Sequence, residues 1–159
     1  STQAMIIKAG THAPLRLPEL IGQSRILRYA VEFTPSCRYR IGSDQSDINK
    51  LFGIGYFPHH RMNSVRFGWR YSAGDFIEIF AYWYAHRERG WKMMGQVPIG
   101  REHIFVLTTG LSNHTLQVYG RGMACTVPVF RQGWGYVLRP YFGGNQKAPH
   151  DIEIKMKEL

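Results

Sequence analysis

A chain of 159 residues, 44% apolar and 14% aromatic, can bury roughly 70% of its unfolded surface in one domain, which excludes a disordered chain. Its net charge of +9 with histidine neutral favours anionic partners such as acidic polysaccharide, nucleic acid or a cell surface. Two cysteines exclude a disulfide scaffold, and no apolar run approaches the ~20 residues of a membrane-spanning helix. Cys37 and Cys125 are expected as buried thiols, with a single bridge as the alternative. Residues 1–159 read as one domain, with Ser1 to Ala4 an added remnant or the start of a processed chain.

In chain order, Met5 to Ala9 predicts an edge strand and His12 to Pro18 an extended, proline-bearing connection. Ile26 to Phe33 alternates, with Leu27, Tyr29, Val31 and Phe33 on one face. Cys37 to Ile41 predicts a brief strand. Gly42 to Lys50 is a polar loop whose Asp44, Asp47 and Asn49 offer oxygen ligands but lack the twelve-residue calcium-loop pattern, so Asx turns are the simpler account. Leu51 to Phe57 is apolar and punctuated by glycine, and Pro58 to Asn63 connects it to the next strand. Beyond the hairpin described below, Arg87 to Gly90 reads as a charged turn. Strands are expected over Trp91 to Ile99, Glu102 to Thr109, Thr115 to Tyr119, Met123 to Val129 and Gly135 to Phe142, the last interrupted by Pro140. Asp151 to Lys157 alternates as a closing strand that could pair back beside the first. No amphipathic helical pattern of ~10 residues is present, and neither is an internal repeat. The expected fold is therefore all-β with little or no helix: an antiparallel sandwich of about 10 to 12 strands, in jelly-roll form.

The strongest local signal is a hairpin. Ser64 to Ser72 and Asp75 to Ala85 are rich in aromatic and β-branched residues, and Ala73-Gly74 between them suits a two-residue turn. That turn pairs Tyr71 with Phe76, Trp69 with Glu78, Phe67 with Phe80 and Val65 with Tyr82. One face then carries Val65, Phe67, Trp69, Tyr71, Phe76, Glu78, Phe80, Tyr82 and Tyr84; the other carries Arg66, Gly68, Arg70, Ile77, Ile79, Ala81 and Trp83. A strand with no clearly polar face is covered on both sides or lines a groove. Packing is the common reason for an aromatic face. A ligand platform is the alternative, because Tyr and Trp offer flat apolar area with a polar tip. Glu78 among aromatics keeps the platform reading open, since a buried carboxylate needs a partner.

His59-His60 precedes this hairpin. On a loop the two rings can converge, and one can act as a base near neutral pH. The pair lacks neighbouring Cys or carboxylate ligands in sequence, so no metal site and no cofactor is expected. Nucleophile-elbow, Walker and Rossmann fingerprints are absent. Aromatics on a basic sheet can stack bases, but no RNA- or DNA-binding signature accompanies them, which disfavours nucleic acid.

The segments DINKLFG, HHRMNSVRFGWRYS and RPYFGGNQKAPHDIEI resemble a family of small, uncharacterised bacterial all-β proteins. The late YFGG and the closing strand also resemble the concanavalin A-like lectin and glucanase jelly rolls. That resemblance implies a concave sheet face of the kind that binds polysaccharide. Jelly-roll alginate lyases are a related comparison, and they use Arg, Gln, His and Tyr on a concave sheet to neutralise and deprotonate an acidic sugar. Their Arg-Ser-Glu-Leu and Gln-Ile-His patterns are absent here, as is the glucanase Glu-x-Asp-x-x-Glu strand. The leading expectation is a carbohydrate-binding domain for anionic glycan without catalysis. Its platform is drawn from Trp69, Tyr71, Tyr82, Trp83 and Tyr84, with His59, His60, Arg66, Arg70 and Glu78 as polar partners. A lyase or hydrolase with His59 or His60 as base is the second expectation. A structural or protein-interaction domain is the third.

Overall fold

The computed structural model describes residues 2–14, 20–21, 26–129 and 133–159. Its strands are β1 (Gln3–Ile7), β2 (Leu20–Ile21), β3 (Ile26–Phe33), β4 (Asn49–Tyr56), β5 (Ser64–Tyr71), β6 (Phe76–Ala85), β7 (Glu88–Pro98), β8 (Glu102–Thr108), β9 (His114–Val118), β10 (Met123–Val127), β11 (Gly135–Leu138) and β12 (Ile152–Glu158). They form two six-stranded sheets in the orders β1-β12-β3-β8-β9-β10 and β2-β11-β4-β5-β6-β7. Every neighbouring pair is antiparallel. The closing strand lies between the first strand and β3, as its alternation suggests, and ties the two ends of the chain into one sheet. Among the described residues, no helix is long and apolar enough to cross a membrane.

The core lies between the sheets. Alternate residues of β3, β8 and β12 face alternate residues of β4, β5 and β6. Phe33 meets Trp69 at 5.4 Å between ring centroids, Phe105 meets Phe67 at 5.1 Å, and Tyr29 meets Phe52 at 4.7 Å. These tilted and edge-on contacts are the favoured aromatic geometries. Cys37 and Cys125 are both free and buried.

Three expectations are corrected. Cys37 to Ile41 is not a strand: Pro35–Cys37 forms a 3-10 turn and 38–41 stays unpaired, because the chain crosses here from one sheet to the other. The tight turn after β6 is His86-Arg87, not Arg87 to Gly90, so β7 begins at Glu88. The hairpin register is one residue from the expected one: Tyr71 pairs with Ile77, Trp69 with Ile79, Arg70 with Glu78 and Arg66 with Tyr82.

The slip has a local cause. A two-residue turn of the favoured type needs positive φ at both central residues. In the 72–76 connection only Gly74 has it, at +68°. Tyr71 Oη donates to Gly74 O, Arg40 donates to Ser72 O, and Arg38 pairs with Asp75. These contacts hold a wider loop. A shift of one residue exchanges the two faces of β6 relative to β5.

Candidate functional site

The exchange of faces builds the site. Val65, Phe67, Trp69 and Tyr71 share the core side with Ile77, Ile79 and Ala81. Arg66, Gly68 and Arg70 share the opposite side with Glu78, Phe80, Tyr82 and Tyr84. Arg89 and Trp91 extend that side onto β7, opposite Tyr84 and Tyr82. On β4 the same side carries Lys50, Gly53 and Gly55. A Cβ on Gly53 would lie 2.4 Å from Arg66 Cβ, and one on Gly55 would lie 2.9 Å from both His60 and the Tyr136 ring. The two glycines thus make room for the larger groups.

The segments 58–62 and 141–146 complete a groove of two adjoining compartments. The first, of about 470 Å³, is lined by His60, Arg61, Arg66, Tyr84 and Tyr141. The second, of about 410 Å³, is lined by Ser46, Asp47, Arg70 and Trp91. Lys50, Tyr82, Arg89, Gly144 and Asn145 belong to both. No carboxylate lines the first compartment among the described residues, while Lys50, Arg61, Arg66 and Arg89 all do.

The loop wall is held by named bonds. Tyr141 and Lys50 exchange backbone hydrogen bonds of 3.0 and 2.8 Å. Gly143 N donates to Asn49 Oδ1 at 2.6 Å, and Gln146 Nε2 donates to Asp44 Oδ2 at 2.9 Å. Asp44 and Asn49 are thereby long-range loop braces, a different role from the local Asx turns expected of this segment. Among the described residues, no three of His, Cys, Asp or Glu gather as a metal site.

Arg66 is the electrostatic centre. It is 8% exposed, its Nε has no hydrogen-bond partner, and it makes no ion pair among the described residues. Burial pulls its guanidinium down to about 10, against the opposing influence of Tyr82, Tyr136, Tyr84 and Tyr141. Arg70, on the same strand, is satisfied instead: its Nε donates to Glu78 Oε1 at 2.9 Å, and its Nη1 donates to Ser46 O at 3.0 Å. Burial also lowers Lys50 to about 8, helped by Arg66 and Arg89 and opposed by Asp47. Lys50 Nζ lies 4.7 Å above the centre of the Tyr82 ring and donates to Ile48 O at 2.8 Å.

The two histidines separate in role. Their rings stack at 4.3 Å, but His59 is exposed, lines neither compartment and accepts the Arg61 N–H on Nδ1 at 3.0 Å. His60 faces the groove with its Nδ1 3.4 Å from Tyr136 Oη. Burial, then the charge of Arg66, lowers His60 to about 4, so its imidazole is neutral near pH 7.

Of the ten residues expected at a binding site, His60, Arg66, Arg70, Tyr82 and Tyr84 line the groove, and Glu78 lies on its side, paired to Arg70. Trp69 and Tyr71 do not: they are core residues, 0% and 6% exposed. Trp83 also points to the core side, where it packs over Gly90. The expected platform took its tryptophans from the wrong face because the register was one residue out. Lys50, Arg89, Trp91 and Tyr141 were missed as groove residues. One signal pointed to Tyr141, the glycine-bearing YFGGN segment that contains it.

No family model matches the sequence, and no curated protein matches it. Solved structures match its fold. An alginate lyase from Klebsiella pneumoniae superposes with a TM-score of 0.65 at 10% identity, over 87% of this chain. This chain spans 59% of that enzyme's length. The alginate lyase AlyC3, whose structure has also been solved with dimannuronate, matches with a TM-score of 0.65 at 13% identity, over 99% of this chain and 73% of the other. The alginate lyase vAL-1 from Chlorella virus matches with a TM-score of 0.60 at 11% identity, over 98% and 81% of the two chains. At such identities the likeness shows the architecture, and the chain is an all-β, two-sheet jelly-roll sandwich of the form found in alginate lyases.

Proposed function

We propose that the groove binds an anionic, uronate-type polysaccharide and cleaves it by β-elimination, as a polysaccharide lyase. The observation that carries this reading is Arg66, a buried guanidinium with an unpartnered Nε in a compartment that no carboxylate lines among the described residues. A buried unpaired cation is costly unless an anion completes it. A uronate carboxylate suits it, because guanidinium and carboxylate form paired, charge-assisted hydrogen bonds. The alginate lyases that share this fold support the same substrate class. This reading replaces binding without cleavage as the leading one.

The reacting groups follow from the lining. Arg66 neutralises the carboxylate and so favours loss of the proton on the adjoining sugar carbon, C5. The acceptor is assigned to Tyr141. The Tyr136 hydroxyl contacts His60, and Tyr82 is engaged with Tyr84 and Arg89. The Tyr141 hydroxyl has no hydrogen-bond partner among the described residues. The Tyr141 oxygen takes the C5 proton as its own hydroxyl proton passes to the departing C4 oxygen; the C4–O bond breaks, a C4=C5 double bond forms, and the phenol is regenerated. One C–H and one C–O bond are exchanged for a π bond and an O–H bond. Neutral His60 is left to accept a hydrogen bond from the sugar. Hydrolysis has less support, since it needs two carboxyl groups across the scissile bond: Asp47 is the one carboxylate among the described lining residues, and Glu78 beside the groove is held by Arg70.

Binding without cleavage is the second reading, favoured by the weak basicity of His60. The test is incubation with alginate, pectate and a neutral glucan, following ultraviolet absorbance of the new double bond. Unsaturated ends from an acidic polymer, lost in Tyr141→Phe with binding retained, support the lyase. Saturable binding with no unsaturated ends supports the second reading.

A further inference from the structure

Trp91 is a large aromatic residue that the core does not explain. It stands on β7, the edge strand of its sheet, yet is 54% exposed. Its register partner Tyr82 places it on the groove side. Phe80 holds the indole edge-on at 6.1 Å and 70°. The ring is thus buttressed on one side and open on the other. It lines the second compartment only, while Arg66, His60 and Tyr141 line the first only. Lys50, Tyr82 and Arg89 are common to both, so the groove runs without a break from Arg66 across β6 to Trp91.

We infer that the Trp91 compartment is an extension subsite, which takes a further sugar unit of a chain whose first unit lies at Arg66. The indole packs against the apolar face of the pyranose ring, as aromatic side chains with open faces do. Lys50 and Arg89, at the junction, take the carboxylate of this second unit. The inference rests on the anionic-glycan reading and deepens it: the ligand recognised is a chain of uronates rather than a terminal or single uronate.

The test is calorimetric titration of the protein with mannuronate oligomers from the monomer to the tetramer, at one low salt concentration. Wild-type affinity is expected to rise along the series. Trp91→Ala should leave the monomer unchanged and lower tetramer affinity about tenfold, the size of one lost aromatic contact. Trp91→Phe should restore most of the loss. Trp134→Phe should change nothing, because Trp134 is exposed but lines neither compartment. Wild-type affinity that is independent of length, or an equal loss at every length in Trp91→Ala, overturns the subsite alone. Absence of wild-type binding at every length overturns the glycan reading itself.

Discussion

His12 lies flat against Tyr141, with 4.8 Å between ring centroids and 5° between their planes. Its Nδ1 is 2.8 Å from Phe142 O, and Phe142 N donates back to His12 O at 2.6 Å. A residue far away in sequence thus fixes the ring assigned to proton transfer. His12 is a positioning residue in this scheme and touches no reacting atom. His12→Ala should slow release of unsaturated ends about 10- to 100-fold through misplacement of the phenol, with alginate affinity nearly unchanged. His12→Phe, which keeps the stack, should recover most of the rate. A loss confined to KM would remove His12 from this role.

Arg66 sets function against stability. Its folded-state value is depressed, so its charged form is disfavoured in the fold at all pH values below about 10. Arg66→Met keeps the side-chain volume and removes the buried charge. The variant should be more stable by about 1–3 kcal/mol in urea unfolding. It should bind acidic polymers far more weakly. A destabilised Arg66→Met would show that an unrecognised partner satisfies the guanidinium.

Much of the fold was legible because one-sided burial leaves an alternating record. Leu27, Tyr29, Val31 and Phe33 all point inward as their spacing requires, and Ile152, Ile154 and Met156 do the same. The groove was half legible. Arg66 and Tyr82 were both expected at a site, but on opposite faces. Alternation is a property of one strand, whereas register is set by the turn, and this turn is held by Arg38, Arg40 and Tyr71 through contacts that no local pattern shows. The loop carrying Tyr141 was opaque for a similar reason. Its place over the groove depends on Asn49 and Asp44, about a hundred residues away.

The β6–β7 turn offers a test of stability independent of any ligand. His86 and Arg87 have φ of +51° and +69°, the left-handed region that costs a side chain with Cβ. Asn-Gly is the sequence that such a turn prefers. Replacing His86-Arg87 by Asn-Gly should stabilise the protein by about 1 kcal/mol, raising the urea midpoint without changing the m-value. No shift, or a lower midpoint, would mean that the His86 and Arg87 side chains stabilise the turn by more than the strain costs.

His60 should make the protein acid-sensitive over a defined window. Its folded value of about 4 lies below the ordinary 6.5. The stability it contributes is fully present above pH 6.5 and is lost as pH falls through that window to about 4. The thermal midpoint should therefore fall between about pH 7 and about pH 4.5, and less steeply in His60→Asn. Rate profiles should show no step near 6.5 from this residue. An ordinary histidine step that vanishes in His60→Asn would restore His60 as the base.

Lys50 joins both compartments, and its ammonium is held down to about 8. An anion bound beside it stabilises the charged form and so raises that value. Binding near pH 8 should then draw a proton from the buffer, which calorimetry detects as a heat that changes with the buffer's ionisation enthalpy. Affinity for alginate should fall as pH rises through and beyond 8, and should fall also with salt, because exposed charges are screened over ~10 Å at 0.1 M. Lys50→Met should bind more weakly at neutral pH and lose both the proton uptake and the pH step. The stability sign is opposite. A folded value below the ordinary 10.5 means that the charged ammonium opposes folding, an effect complete below about 8. Lys50→Met should therefore melt higher than wild type at pH 7 while binding less. A variant that both melts lower and binds as well as wild type would remove Lys50 from the groove's working cations.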